Sequence, residues 1–240
     1  MYINNTHILY YVLFGVLGMI VGQFMDWCNV RMVDKKKVFT TEMFKKFKLN
    51  YFLMILNAII YLCLIYSFGF PKNFSSNLNL FKFLILSPML LSAFYIDYKL
   101  HIIPNRLNLT IFEVGLVIAV IGGISDINFS INAIEGLLIG GITFLIITLI
   151  GGLIAGKEAM GYGDVKFIAS LGLYFGFANM VFIIFMSFLV GAILSLLLII
   201  FRIKKANEYI AFGPFIVISC YISMFIPLSS LLNVALKIFN

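Results

Sequence analysis

The chain is poor in charge, and above all in acid. Only 11% of its 240 residues are Asp, Glu, Lys or Arg, and ten acidic residues stand against 17 basic ones. Soluble domains carry about 25% charged residues, so an ordinary water-soluble globule is excluded. Cysteine is scarce as well. Cys28, Cys63 and Cys220 are odd in number and scattered, with no C-x-x-C pair, which excludes a zinc ribbon and a disulfide framework. Cys63 and Cys220 lie in apolar runs and read as small lipid- or core-facing residues. His7 and His101 have no His or Cys beside them in sequence, so no metal site is expected. The stretch Met1 to His7 has no Lys or Arg and lacks the basic n-region of a secretory signal. There is no long-period repeat and no low-complexity tract.

What the chain has is apolar length. Its residues are 62% hydrophobic, with 26 Phe and 12 Tyr, and its mean hydropathy is +1.09. That is the reverse of a disordered composition. Eight apolar runs are read as spans: Ile8–Met25, Tyr51–Phe68, Phe81–Ile96, Leu107–Gly123, Asn132–Ala155, Val165–Ala178, Met180–Phe201 and Phe212–Leu236. At about 20 residues per span these would occupy about two thirds of the chain. The sixth run is short and joins the seventh near Asn179, as a thin span or half of a broken one. The expected architecture is an all-α polytopic membrane protein of about eight helices. It is read as a single transmembrane domain over 1–240, with a short basic cytoplasmic loop at 26–50.

Orientation follows from the basic residues. Alternate loops collect 14 of the 17 Lys and Arg on one side, and only Lys72, Lys82 and Lys237 fall on the other. By the positive-inside rule both termini are extracytoplasmic. The basic charge is thereby used by topology and needs no nucleic-acid partner. Residues Met43 to Lys48 interleave Lys with Phe, a pattern suited to an anionic headgroup surface.

Acids at a membrane boundary need a reason. Asp97 ends the third run, and Asp164 stands in A-M-G-Y-G-D-V-K-F. By topology both lie on the cytoplasmic face. The ordinary reading of Asp97 is an interfacial acid paired with Lys99 or Arg106; that of Asp164 is the N-cap of a helix opened by Val165. The N-cap reading does not need Gly161 and Gly163, which leave room for another extended chain to approach. Two carboxylates in one cavity suit general acid/base hydrolysis. Close like charges share a proton, one member deprotonating a water and the other polarising a carbonyl. Glu113 reads as a hydrogen-bonded residue of the bundle interior, while Asp126, Glu135 and His7 belong near the outer face. Gly18 and Gly22 form a G-x-x-x-G packing step in the first span.

Together the two acidic segments resemble those of the type IV prepilin peptidases, membrane aspartic proteases of the GxGD class. The run I-D-Y-K-L-H-I-I-P-N-R-L is similar to the family's first catalytic segment and matches it at Asp97 and Pro104. The run E-A-M-G-Y-G-D-V-K-F-I-A-S-L-G is similar to the second. It places Asp164 at the second catalytic aspartate, and Glu158 and Lys166 at positions the family commonly uses. Two more matches lie outside the acids: Gly22 to Arg31 keeps the Gly, Phe and Arg of a family step, and Ala211 to Phe215 resembles P-F-G-P-F.

The resemblance implies an aspartic endopeptidase with Asp97 and Asp164 catalytic and Gly161, Gly163, Glu158, Lys166 and Pro104 binding substrate or supporting the site. It would remove a short basic leader after Gly from a prepilin or pseudopilin substrate of a type IV pilus or secretion system. It would act as a multi-pass protein of the inner (plasma) membrane with its active site facing the cytoplasm. Gln23 and Asp26 depart from the usual Ser and Asn, and the 26–50 loop lacks the two C-x-x-C pairs that many members carry. The peptidase would need no cofactor; S-adenosylmethionine is implied if the family's N-methyltransferase activity is retained. The rival readings are a proton- or ion-coupled transporter using intramembrane carboxylates, and a non-catalytic assembly factor of a pilus or secretion machine.

Overall fold

A computed structural model describes residues 2–3, 6–33, 49–70, 74–156, 160–203, 210–226 and 228. Two short strands, β1 (Tyr2–Ile3) and β2 (Thr6–His7), pair antiparallel. Among the described residues seven helices follow: α1 (Ile8–Val33), α2 (Tyr51–Phe68), α3 (Phe74–Leu100), α4 (Asn105–Ser125), α5 (Ile127–Ala155), α6 (Tyr162–Ile200) and α7 (Gly213–Phe225). α1 to α6 are long and apolar enough to cross a membrane, and α7 is a shorter apolar helix. The chain is a polytopic all-α membrane protein.

Several boundaries differ from the apolar runs. α1 passes Met25 and continues to Val33, so residues 26–33, expected to open the basic loop, are helical. α3 starts at Phe74, well before Phe81. Hydropathy marks the part of a helix that lipid covers, whereas backbone hydrogen bonding propagates into the polar residues beyond it. α7 ends at Phe225, and most of the rest of the eighth run lies outside the described residues.

The chain divides into two compact units, Met1–Ser92 and Ala93–Asn240, with the boundary inside α3. In the first unit the glycine step of α1 meets α2. A Cβ at Gly18 would lie 2.7 Å from Ala58 Cα, and one at Gly22 would lie 2.6 Å from the Leu53 oxygen. Asn57 Nδ2 donates to the Gly18 carbonyl at 2.8 Å across this close approach. Both departures of the first segment are used at one place. Gln23 Oε1 accepts the Asn50 amide at 3.0 Å, and Asp26 Oδ1 accepts Asn50 Nδ2 at 2.6 Å. Asn50 is itself the N-cap of α2. In α3, Pro88 has no N–H for the Leu84 carbonyl, and Tyr61 Oη donates to that oxygen at 2.8 Å.

In the second unit α6 is assigned as one helix of 39 residues, but Gly176 has φ 71° and ψ 178°. A Cβ at Gly140 on α5 would meet both the Ile168 oxygen at 2.9 Å and Met180 Cε at 3.1 Å. On a straight helix residues 168 and 180 would be about 18 Å apart. Gly136 lies against Gly172, Asn132 Oδ1 accepts the Phe177 amide, and Phe144 meets Phe188. Along α5, contacts therefore descend one leg of α6 and ascend the other. α6 is a helical hairpin that reverses at Gly176, three residues before Asn179, where hydropathy alone put the junction. Gly136 and Gly172 pack backbone to backbone, an approach that only glycine permits.

Candidate active site

Four helix ends of the second unit meet around the two expected acids. Asp97 lies one turn before the end of α3, and His101 closes that helix with its amide on the Asp97 carbonyl at 2.9 Å. His101 has φ 54°, a left-handed turn that ends α3 and redirects the chain toward α4. Pro104 is the N-cap of α4, and its carbonyl accepts the amides of Leu107 and Asn108 at 3.0 and 3.2 Å. Its neighbour Ile103 is buried. Ile103 is the wall between two backbones: positions for a Cβ at Gly163 and at Gly213 both fall against it, at 3.6 and 3.2 Å.

Asp164 is not an N-cap. The N-cap of α6 is Gly161, whose carbonyl accepts the Asp164 amide at 3.0 Å, and the helix opens at Tyr162 rather than Val165. The Asp164 carboxylate sits in the first turn of α6, where the partial positive charge of a helix N-terminus favours it. Asp97 is treated similarly by another helix. Its Oδ2 accepts the Gly213 amide at 2.9 Å, at the first residue of α7. Both acids are buried, with 4% and 6% of their surface exposed, and their carboxylates lie within electrostatic reach of each other. His101 also acts electrostatically on Asp97.

The supporting residues divide. A Cβ at Gly161 would meet nothing nearer than Asp164 Oδ2 at 3.8 Å, and one at Gly163 would rest in ordinary contact on Ile103. Neither has a left-handed φ. Packing among the described residues therefore requires glycine at neither position. Lys166 is exposed and donates to Asn105 Oδ1 at 3.3 Å, bracing α6 on α4. Lys99 turns to Tyr95. Glu158 lies outside the described residues. Glu113 is exposed on α4 instead of lying in the bundle interior; it belongs to the helix side that α4 does not turn toward α6.

Two site residues escape a reading by motif. Asn108 is buried and donates from Nδ2 to the Gly163 carbonyl at 3.1 Å, pinning the backbone just before Asp164. Gly213 contacts Asp97 directly, and the Gly-Pro pair in Ala211 to Phe215 was its only sign. No cluster of three or more His, Cys, Asp or Glu exists among the described residues. The arrangement offers two buried, interacting carboxylates beside a glycine backbone, a chemistry of proton transfer rather than of nucleophilic side chains.

Residues 84–196, which hold both acids, match the model of the type IV leader peptidase family. The chain is similar to curated proteins named prepilin leader peptidase/N-methyltransferase. It is 30% identical to that of Aeromonas hydrophila over 141 residues, 59% of this chain and 48% of the relative. It is 31% identical to that of Pseudomonas aeruginosa over 141 residues, 59% and 48%. The protein of Xanthomonas campestris pv. campestris is 27% identical over 173 residues, 71% and 56%. The matches thus span about half the length of these relatives. No solved structure matches the chain.

Proposed function

We propose, from the premise that this chain belongs to the type IV leader peptidase family, that it is an aspartic endopeptidase removing basic leaders from prepilin-like proteins. The observation that carries this is the pairing of Asp97 with Asp164. Acids from two separate segments are buried within electrostatic reach, each at a helix N-terminus. In the proposed reaction the ionised carboxylate takes a proton from water, and the water oxygen adds to the carbonyl carbon of the Gly that precedes the scissile bond. The protonated carboxyl polarises that carbonyl, the C–N bond then breaks, and the leaving amine takes up a proton.

The substrate leader would lie extended along Gly161 and Gly163, its apolar helix packing against the spans. Eight crossings, outward termini and a cytoplasm-facing site in the inner membrane belong to the same proposal, since the 14 to 3 split of basic residues supports them. N-methylation with S-adenosylmethionine is a separate activity, and the names of the relatives favour testing for it.

The test uses purified protein in liposomes with a synthetic prepilin-type substrate. Asp97→Asn and Asp164→Asn should each abolish cleavage while the protein remains inserted and folded. Substantial processing by either variant would sink the dyad. A proton-gradient-dependent uptake by the same liposomes would favour the transporter reading instead.

A further inference from the structure

α7 enters the site through its backbone. The amides at the start of this helix are unequally used: Pro214 has no N–H, and those of Phe215 and Ile216 both turn to the Phe212 carbonyl, at 3.0 and 3.3 Å. Among residues 213 to 216, only Gly213 has an amide left for a partner outside the turn. It is given to Asp97 Oδ2 at 2.9 Å. Helix N-termini leave such amides unsatisfied, and together they carry partial positive charge. Asp97 stands near the C-terminal end of α3, where the partial charge is negative, so α7 offsets the unfavourable end on which the acid is built.

The side chain at 213 matters as much as the amide. A Cβ there would collide with Asp97 Oδ2 and would lie 3.2 Å from Ile103 Cδ1. Glycine therefore does two things at once: it lets the carboxylate reach the backbone and supplies the donor that holds it. Proline at the next position pre-sets helical φ and removes a competing N–H.

Resting on the peptidase reading above, we infer that Gly213 is a positioning residue for cleavage, its amide fixing Asp97 Oδ2 so that the other carboxylate oxygen faces the reacting water. Its part in catalysis is exerted through Asp97, without contact to substrate.

The direct test replaces glycine at 213 by its hydroxy-acid counterpart, glycolic acid, which turns the amide into an ester and removes only the donor. Cleavage of a synthetic prepilin-type peptide should fall about 10- to 100-fold in kcat, the range of one hydrogen bond to a charged group, with KM within about twofold. Gly213→Ala should fall further, because it also displaces the carboxylate. A kcat for the ester protein within about twofold of the parent would overturn the role. A parent protein that fails to cleave would overturn the peptidase reading and this one with it.

A second readout needs no activity. In protein labelled with 15N-glycine, Asp97→Ala should speed hydrogen exchange at the Gly213 amide at least about tenfold while the rest of α7 is unchanged. Equal exchange in the two proteins would overturn the contact itself.

Discussion

Asn108 reaches from the first turn of α4 to the carbonyl of Gly163, at 3.1 Å, and so fixes the backbone residue that precedes Asp164. The bond is buried, and removing its donor leaves a carbonyl to be desolvated. Asn108→Leu, of similar size, should therefore cost about 1–3 kcal/mol of stability. It should also lower kcat, because Asp164 loses its brace. Thermal unfolding in detergent beside cleavage kinetics checks both; an unchanged kcat in a destabilised protein would make the bond structural only.

Gly161 and Gly163 make the opposite prediction. Among the described residues there is space for a Cβ at both, so Gly161→Ala or Gly163→Ala should shift stability by no more than about 0.5 kcal/mol. If an extended leader runs along this backbone, kcat/KM should nevertheless fall about 10- to 100-fold through misplacement of the scissile bond. Alanine variants as active as the parent would remove the leader from this path.

How much of this was legible in the sequence depends on the kind of interaction. Asp97 and Asp164 stood out because acids at a membrane boundary are costly, and the positions of the first five helices followed from apolar length. The start of α6 was misplaced because Tyr162 and Gly163 carry no helix signal, whereas the extended Gly161 N-cap sets it. Hydropathy marked the break in this segment near Asn179, three residues late, because it follows the polar side chain and not the backbone that reverses at Gly176. Its cause is a glycine conformation held by Asn132 on α5. Gly213 on Asp97 is a tertiary contact with no local pattern, so its Gly-Pro pair could be noticed without its purpose being read.

The glycine contact between α5 and α6 predicts a purely structural loss. Gly136 and Gly172 touch through their backbones, so Gly172→Ala should force the helices apart and cost about 1–3 kcal/mol. The effect should appear in unfolding, with KM for substrate unchanged in the protein that remains folded. Wild-type stability in this variant would mean that the two helices separate freely.

In the first unit, Asp26 and Asn50 predict a measurable coupling. Their 2.6 Å hydrogen bond joins α1 to the N-cap of α2. A double-mutant cycle of Asp26→Ala and Asn50→Ala should give an interaction of about 1–2 kcal/mol. Strict additivity would show that Asp26 does not stabilise this cap.

The most direct measurement is mass spectrometry of a prepilin-type substrate incubated with the purified protein in liposomes and S-adenosylmethionine. The predicted result is a leader ending in Gly and a mature fragment beginning at the next residue; a further methyl mass on that fragment would report the second activity independently. Intact substrate across several prepilin-type sequences and a broad pH range would contradict a two-aspartate leader peptidase.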